Sequence, residues 1–191
     1  VRVGFENLTR VADFGLRNNV PDGAAREVDI PDWLTETRTN QSIEALCVAP
    51  PASPVAGSTV ILTEGVFDAA GHHRGFMLGR ADRGPLSYIA KPGLNPTDCA
   101  FLPNGDLLVL ERGIALLSFT MALKRIPAAQ VRPDAVLAGE TLLETTGGDI
   151  DNMEAVAVHP GPDGETRITL VSDNNFNDWE RTLLLEFTLA D

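Results

Sequence analysis

Residues 97–112 read Thr97-Asp98-Cys99-Ala100-Phe101-Leu102-Pro103-Asn104-Gly105-Asp106-Leu107-Leu108-Val109-Leu110-Glu111-Arg112. An acid opens a short strand, a Pro-Asn-Gly turn follows, and an apolar strand ends in a second acid. Proline and Asn-Gly are the residues that tight hairpin turns require. Residues 43–65 and 153–174 follow the same order. The leading acids recur roughly every 55 residues, close to the period of about 40–50 residues that is typical of β-propeller blades. The repeat therefore predicts an all-β protein, a β-propeller built from four-stranded antiparallel blades.

The rest of the chain supplies the remaining strands of each blade. Residues 1–6 resemble a second strand with its terminal acid, so the chain starts in the middle of a blade. The count is about three and a half blades, which indicates a partial propeller. The predicted outer strands cover residues 10–14, 26–30, 75–80, 86–90, 116–126, 136–143 and 182–189.

The repeat also predicts a site. The first strand of each blade lines the central channel, and the second strand runs back antiparallel to the same mouth, so acids at both positions converge there. This places seven carboxylates at one mouth: Glu6, Glu44, Glu64, Asp98, Glu111, Glu154 and Asp173. Carboxylates that share one axis repel each other unless a cation lies among them.

Oxygen ligands of this kind suit Ca²⁺, which accepts six to eight of them in flexible geometry. No cysteine or histidine is placed to favour zinc or copper. If the protein is an enzyme, Ca²⁺ neutralises a phosphate and activates water, and Arg112 and Arg181 hold phosphate oxygens. The residues that would hold this catalytic Ca²⁺ are Glu44, Asp98, Glu154 and Asp173. The alternative is a structural ring, in which acids, asparagines and arginines bond only to one another in a non-catalytic binding module.

The amino-acid composition argues against two classes of binding partner. The formal net charge is −12 and the isoelectric point is near 4.6. Nucleic acids and anionic membrane surfaces both need clustered lysine and arginine, so neither is an expected partner. No stretch approaches the roughly 20 apolar residues of a membrane span, and no signal peptide is visible.

The two cysteines each lie in the first strand of a repeat. Cys47 is three residues after Glu44, and Cys99 directly follows Asp98, so both cysteines face away from the acids. We expect two buried free thiols, with a disulfide as the alternative.

Several motifs resemble a bacterial phytase-like family, whose domain is described as an esterase-like activity of phytase. One is the run 95–112. The others are Asp151-Asn152-Met153-Glu154-Ala155-Val156-Ala157-Val158, Leu170-Val171-Ser172-Asp173-Asn174-Asn175-Phe176 and Arg181-Thr182-Leu183-Leu184-Leu185-Glu186-Phe187. The resemblance covers nearly the whole chain.

The resemblance implies a single β-propeller domain over residues 1–191 that lacks its first blades. Further blades or a second copy would complete the ring. It also implies an exported protein, periplasmic or secreted, that hydrolyses small phosphoric or carboxylic esters. A serine esterase lacks support, because the chain has no Gly-x-Ser-x-Gly motif and no convincing Ser–His–Asp set.

Overall fold

The computed structural model describes residues 1–115 and 118–189, which form four β-sheets. The first sheet contains β1 (Arg2–Phe5), β2 (Arg10–Arg17) and β3 (Val20–Val28). The second contains β4 (Ile43–Val48), β5 (Thr59–Phe67), β6 (His73–Leu78), β7 (Gly84–Tyr88) and β11 (Val136–Leu137). The third contains β8 (Asn95–Phe101), β9 (Leu107–Ala115), β10 (Ser118–Ile126) and β12 (Glu140–Thr146). The fourth contains β13 (Met153–Pro160), β14 (Thr166–Ser172) and β15 (Leu184–Thr188).

The predicted all-β architecture is confirmed. Within each sheet, strands that are neighbours in sequence pair antiparallel. The first strands of the second, third and fourth sheets contact one another in succession, β4 with β8 and β8 with β13. This arrangement is consistent with a partial propeller. In residues 1–115 and 118–189, helix is confined to α1 (Asp32–Thr35) and a 3-10 turn at Ala128–Gln130. No helix of the described residues is long and apolar enough to cross a membrane.

The predicted strand over residues 136–143 is wrong in one respect. It divides into β11 (Val136–Leu137) and β12, and β11 pairs in parallel with β7 of the preceding sheet. Gly139 separates the two parts and lies so close to the Arg125 carbonyl oxygen that an added Cβ would stand 2.7 Å from it. The chain therefore crosses between blades at this glycine. The start of the predicted 116–126 strand lies outside the described residues.

The core lies between neighbouring sheets. One cluster joins the second and third sheets and includes Leu62, Met77, Leu107 and Val109, all fully buried. A second cluster, around Leu110, Met121, Met153 and Leu170, joins the third and fourth sheets. Because side chains alternate across each strand, one sheet packs against a neighbour on both faces.

The expectation of free thiols is wrong, because Cys47 and Cys99 form a disulfide. Their Cα atoms lie 5.7 Å apart on β4 and β8, which are adjacent first strands of the second and third sheets. The sequence indicated that both cysteines face away from the acids, but it did not show that β4 and β8 are neighbours. The disulfide therefore links two blades.

We expect the double substitution Cys47→Ala, Cys99→Ala to lower the free energy of unfolding by roughly 3–5 kcal/mol, because the bond closes a loop of 52 residues. Urea unfolding followed by tryptophan fluorescence measures this. Dithiothreitol should destabilise the wild type under unfolding conditions and leave the double variant unchanged. Equal stability of the oxidised wild type and the double variant would contradict the prediction.

Candidate functional site

The starts of the first strands and the ends of the second strands surround one open cavity of about 420 Å³, called here the acidic cavity. Carboxylates dominate its wall, and a single guanidinium accompanies them. The lining residues are Glu6, Asn40, Glu44, Glu64, Thr97, Arg112, Glu154 and Asp173. The structure thus brings five of the seven predicted acids to one place.

A β-bulge places one side chain of each first strand at this wall. In β4, Ile43 pairs with Thr63 and Ala45 with Leu62, which leaves Glu44 as the extra residue. The register shifts in the same way at Glu154 in β13 and at Thr97 in β8. Bulges re-aim a side chain and often occur beside functional sites. Glu44, Thr97 and Glu154 are therefore the structurally equivalent positions.

The second strands of these three sheets also have structurally equivalent positions. Thr63, Glu111 and Ser172 each pair with the residue just before the bulge. The residues that follow them line the acidic cavity: Glu64, Arg112 and Asp173. The middle repeat thus contributes an arginine where its two neighbours contribute acids.

The sequence alignment of the middle repeat was therefore wrong by one residue. It matched Asp98 with Glu44 and Glu111 with Glu64, and a one-residue shift in a strand moves a side chain to the opposite face. Asp98 accepts hydrogen bonds from the backbone N–H groups of Cys99 and Val156, both at 2.8 Å. It thereby links β8 to β13. Burial raises the pKa of Asp98 to about 6 in spite of these two bonds.

Glu111 is fully buried inside the third blade. Its carboxylate accepts hydrogen bonds from the Tyr88 hydroxyl and the Lys91 backbone N–H, and the Lys124 ammonium lies 3.6 Å away. Burial raises the pKa of Glu111, although these donors act in the opposite direction. The roles of Asp98 and Glu111 as metal ligands stay predictions, and the contacts that the structure gives them are internal.

Arg112 and Glu154 form an ion pair at the wall of the acidic cavity. Nη2 of Arg112 lies 3.0 Å from Oε1 of Glu154. Nε of Arg112 is buried and has no hydrogen-bond partner among the described residues. An arginine carries five N–H donors in a planar fork, so Arg112 retains donors for an anionic ligand.

Arg181 is not among the residues that line the acidic cavity. Its Nε lies 3.0 Å from Oδ2 of Asp151, and its Nη2 donates to the carbonyl oxygens of Gly148 and Ile150 at 2.7 and 3.0 Å. These contacts hold the loop that leads into β13. Arg181 therefore fixes the segment that carries Glu154, and its predicted contact with phosphate stays a prediction.

Burial and neighbouring carboxylates disfavour the charged form of three acids in the acidic cavity. Burial, followed by the carboxylates of Glu6, Glu64 and Glu154, raises the pKa of Glu44 to about 8, and Arg112 opposes the shift only in part. Burial and Glu64 raise the pKa of Glu6. Burial also raises the pKa of Glu154, against the effect of Arg112. The single guanidinium of Arg112 does not neutralise the five carboxylates of the acidic cavity.

The carboxylates surround the cavity without forming a compact cluster. Among the side chains of residues 1–115 and 118–189, no three acids, cysteines or histidines stand close enough together to hold a metal ion as they are placed. Cation binding would therefore require carboxylate side chains to turn inward, which the open cavity allows.

The fold and the acidic cavity define an all-β protein with a carboxylate-lined site at the inner ends of its sheets. The family model described as esterase-like activity of phytase matches residues 1–176. The chain therefore belongs to this phytase-like family. Searches of curated proteins and of solved structures found no significant match.

We expect the protein without divalent cations to lose stability as the pH rises from 5 to 9. The pKa of Glu44 is about 8 when folded and near 4.5 when unfolded, so its protonated form favours the fold. That contribution is complete below pH 4.5 and lost as the pH approaches 8. Glu44→Gln should flatten the curve and stabilise the protein at pH 9 by at least about 1 kcal/mol, one pKa unit being worth about 1.4 kcal/mol.

Thermal unfolding in EDTA between pH 5 and 9 measures this difference. Glu27→Gln is the matched control, because Glu27 is exposed on β3 and lies outside the acidic cavity. Parallel pH–stability curves for the wild type and Glu44→Gln would contradict the prediction.

Proposed function

We propose that the acidic cavity binds Ca²⁺ and that the protein hydrolyses phosphoric or carboxylic esters there. The observation that carries this proposal is the convergence of five carboxylates with one arginine, which occupies the position that acids hold in the two neighbouring blades. A cation and an anionic group can then be held side by side. The family to which the chain belongs points in the same direction.

The donor set fits a hard divalent cation. Glu6, Glu44 and Glu64 come from the first two sheets, and besides burial the carboxylates of Glu6 and Glu64 raise the pKa of Glu44. These three acids would hold the ion together with Glu154 and Asp173, which also line the acidic cavity. Ca²⁺ tolerates irregular oxygen geometry, which suits a ring whose side chains must turn inward. When bound, the ion supplies positive charge to an ester oxygen and lowers the pKa of water.

The residues of the chain have separate tasks in this proposal. Arg112 binds the oxygens of the substrate's anionic group, because it is the one cationic residue among the described residues that line the acidic cavity. Glu154 orients the guanidinium through the 3.0 Å ion pair. Arg181 acts as a positioning residue through its bonds to the loop before β13.

We further propose that the protein works outside the cytoplasm, in the periplasm or in the medium. The Cys47–Cys99 disulfide supports this, because disulfides persist in oxidising compartments and are rare in the cytosol of mesophiles. The family resemblance implies the same location.

We expect Ca²⁺ to raise the melting temperature, because a ligand that binds only the folded state adds about 2.7 kcal/mol at a hundredfold excess over its dissociation constant. Mg²⁺ should raise it less, since it demands a tighter octahedron. Differential scanning fluorimetry with Glu64→Gln and Asp173→Asn should show a smaller Ca²⁺ effect. Glu140→Gln, exposed on β12, is the control and should respond like the wild type.

We expect turnover of a phosphomonoester or a carboxylic ester that depends on Ca²⁺. Asp173→Asn should lower kcat/KM at least tenfold, and Arg112→Gln should raise KM for phosphomonoesters more than for neutral esters. A panel of chromogenic esters assayed with Ca²⁺ and with EDTA measures both effects.

The rival function is a non-catalytic binding module with a structural acidic ring. The Arg112–Glu154 ion pair favours the binding module, because Arg112 already neutralises part of the negative charge of the acidic ring. A folded protein that turns over none of the esters, and whose melting curve responds to neither Ca²⁺ nor EDTA, would overturn the hydrolase proposal and leave the binding module.

A further inference from the structure

A second cavity lies beside the acidic cavity. Two loops enclose about 240 Å³, one at residues 67–73 and the other at residues 89–95; this space is called here the loop cavity. The residues that characterise its wall are Phe67, His72, His73, Ile89, Pro92 and Asn95. No part of the proposed hydrolytic machinery uses them.

The two cavities share a wall. Asn95 lines the loop cavity, and its Nδ2 donates a hydrogen bond to Oε1 of Glu64, which lines the acidic cavity, at 3.3 Å. Asn95 is also the backbone pairing partner of Arg112 across β8 and β9. A ligand whose anionic group meets Arg112 could therefore extend its remaining part toward the loop cavity.

The wall of the loop cavity favours a flat apolar group. Phe67 and Ile89 line the loop cavity and are 50% and 39% exposed, so both present apolar surface there. The Phe67 ring lies 4.8 Å from the His73 ring, so an aromatic face is already arranged. Aromatic rings prefer such tilted or offset partners at centroid distances of about 4.5–7 Å.

The polar groups of the loop cavity argue against a second anion site. The Lys91 ammonium is bound to Oε2 of Glu144 at 2.8 Å, so its charge is neutralised. Burial lowers the pKa of the His73 imidazole, and its Nδ1 lies 3.1 Å from the backbone carbonyl oxygen of Thr63. Nδ1 of His72 is buried without a hydrogen bond of good geometry, although Oδ2 of Asp68 lies 3.4 Å away.

The volume limits the size of the group. A cavity of roughly 150 Å³ accepts benzene, whereas drug-sized ligands need about 300 Å³ or more. A space of about 240 Å³ therefore fits one ring with a small substituent.

We propose that the loop cavity is a specificity subsite for a single aromatic ring of the ester substrate, whose anionic group is held at Arg112 in the acidic cavity. The inference rests on the proposed function and names its substrate class: aryl esters, with aryl phosphates as the anionic example. Phe67 stacks against the ring, and Ile89 packs against its edge.

The test compares phenylphosphonate with methylphosphonate, two probes that share the anionic group and cannot be hydrolysed at their carbon–phosphorus bond. Calorimetry in the presence of Ca²⁺ should give at least threefold tighter binding of phenylphosphonate. Phe67→Ala should remove that advantage and leave methylphosphonate binding unchanged. Phe187→Ala, an exposed phenylalanine on β15, is the matched control and should behave like the wild type.

Equal binding of the two probes, or an advantage that survives Phe67→Ala, would overturn the subsite and leave the proposed function intact. If neither phosphonate binds, the proposed anion site is wrong. The subsite is then tested separately, by adding phenol, which has no anionic group. Phenol should then shift the imidazole NMR signals of His72 and His73 in the wild type but not in Phe67→Ala. Unmoved signals in the wild type would overturn the subsite as well.

Discussion

The β-bulge at the start of each first strand is the constraint on which the site depends. It adds one residue to β4, β8 and β13, and the side chain of that residue turns to the wall of the acidic cavity. Without the bulge, the alternation of a regular strand would direct the same side chain into the packed space between blades. The bulges thus allow polar residues to stand at the inner ends of sheets that pack against one another through buried apolar residues.

The bulges concentrate charge, and the fold does not neutralise it. Five carboxylates meet one guanidinium, and the pKa of Glu44 rises to about 8 because burial and three neighbouring carboxylates disfavour its charge. Such an arrangement opposes folding at neutral pH unless protons or cations compensate it. The Cys47–Cys99 disulfide and the apolar contacts between sheets stabilise the two central blades against this repulsion. Strongly perturbed carboxyl groups in an open cavity are typical of functional sites.

The middle repeat differs from its neighbours in where its carboxylates lie. Its acids are displaced by one position, so Glu111 is buried with Tyr88 and Lys124, and Asp98 links β8 to β13. The positions at the cavity wall then carry Thr97 and Arg112. One repeat thus uses its carboxylates to hold blades together, while its neighbours direct theirs to the cavity.

The sequence by itself determined the strands, the turns and the all-β class, because hairpin residues and alternating side chains are local signals. It also indicated five of the acids that meet. A better clue to the middle repeat was present, since matching Gly65 with Gly113 sets Glu64 against Arg112. Register, however, is decided by which backbone groups pair across strands, and a bulge changes it without changing composition. Only the tertiary structure could therefore decide that Cys47 meets Cys99 and that Arg112, not Glu111, faces the cavity, because both depend on contacts between residues far apart in sequence.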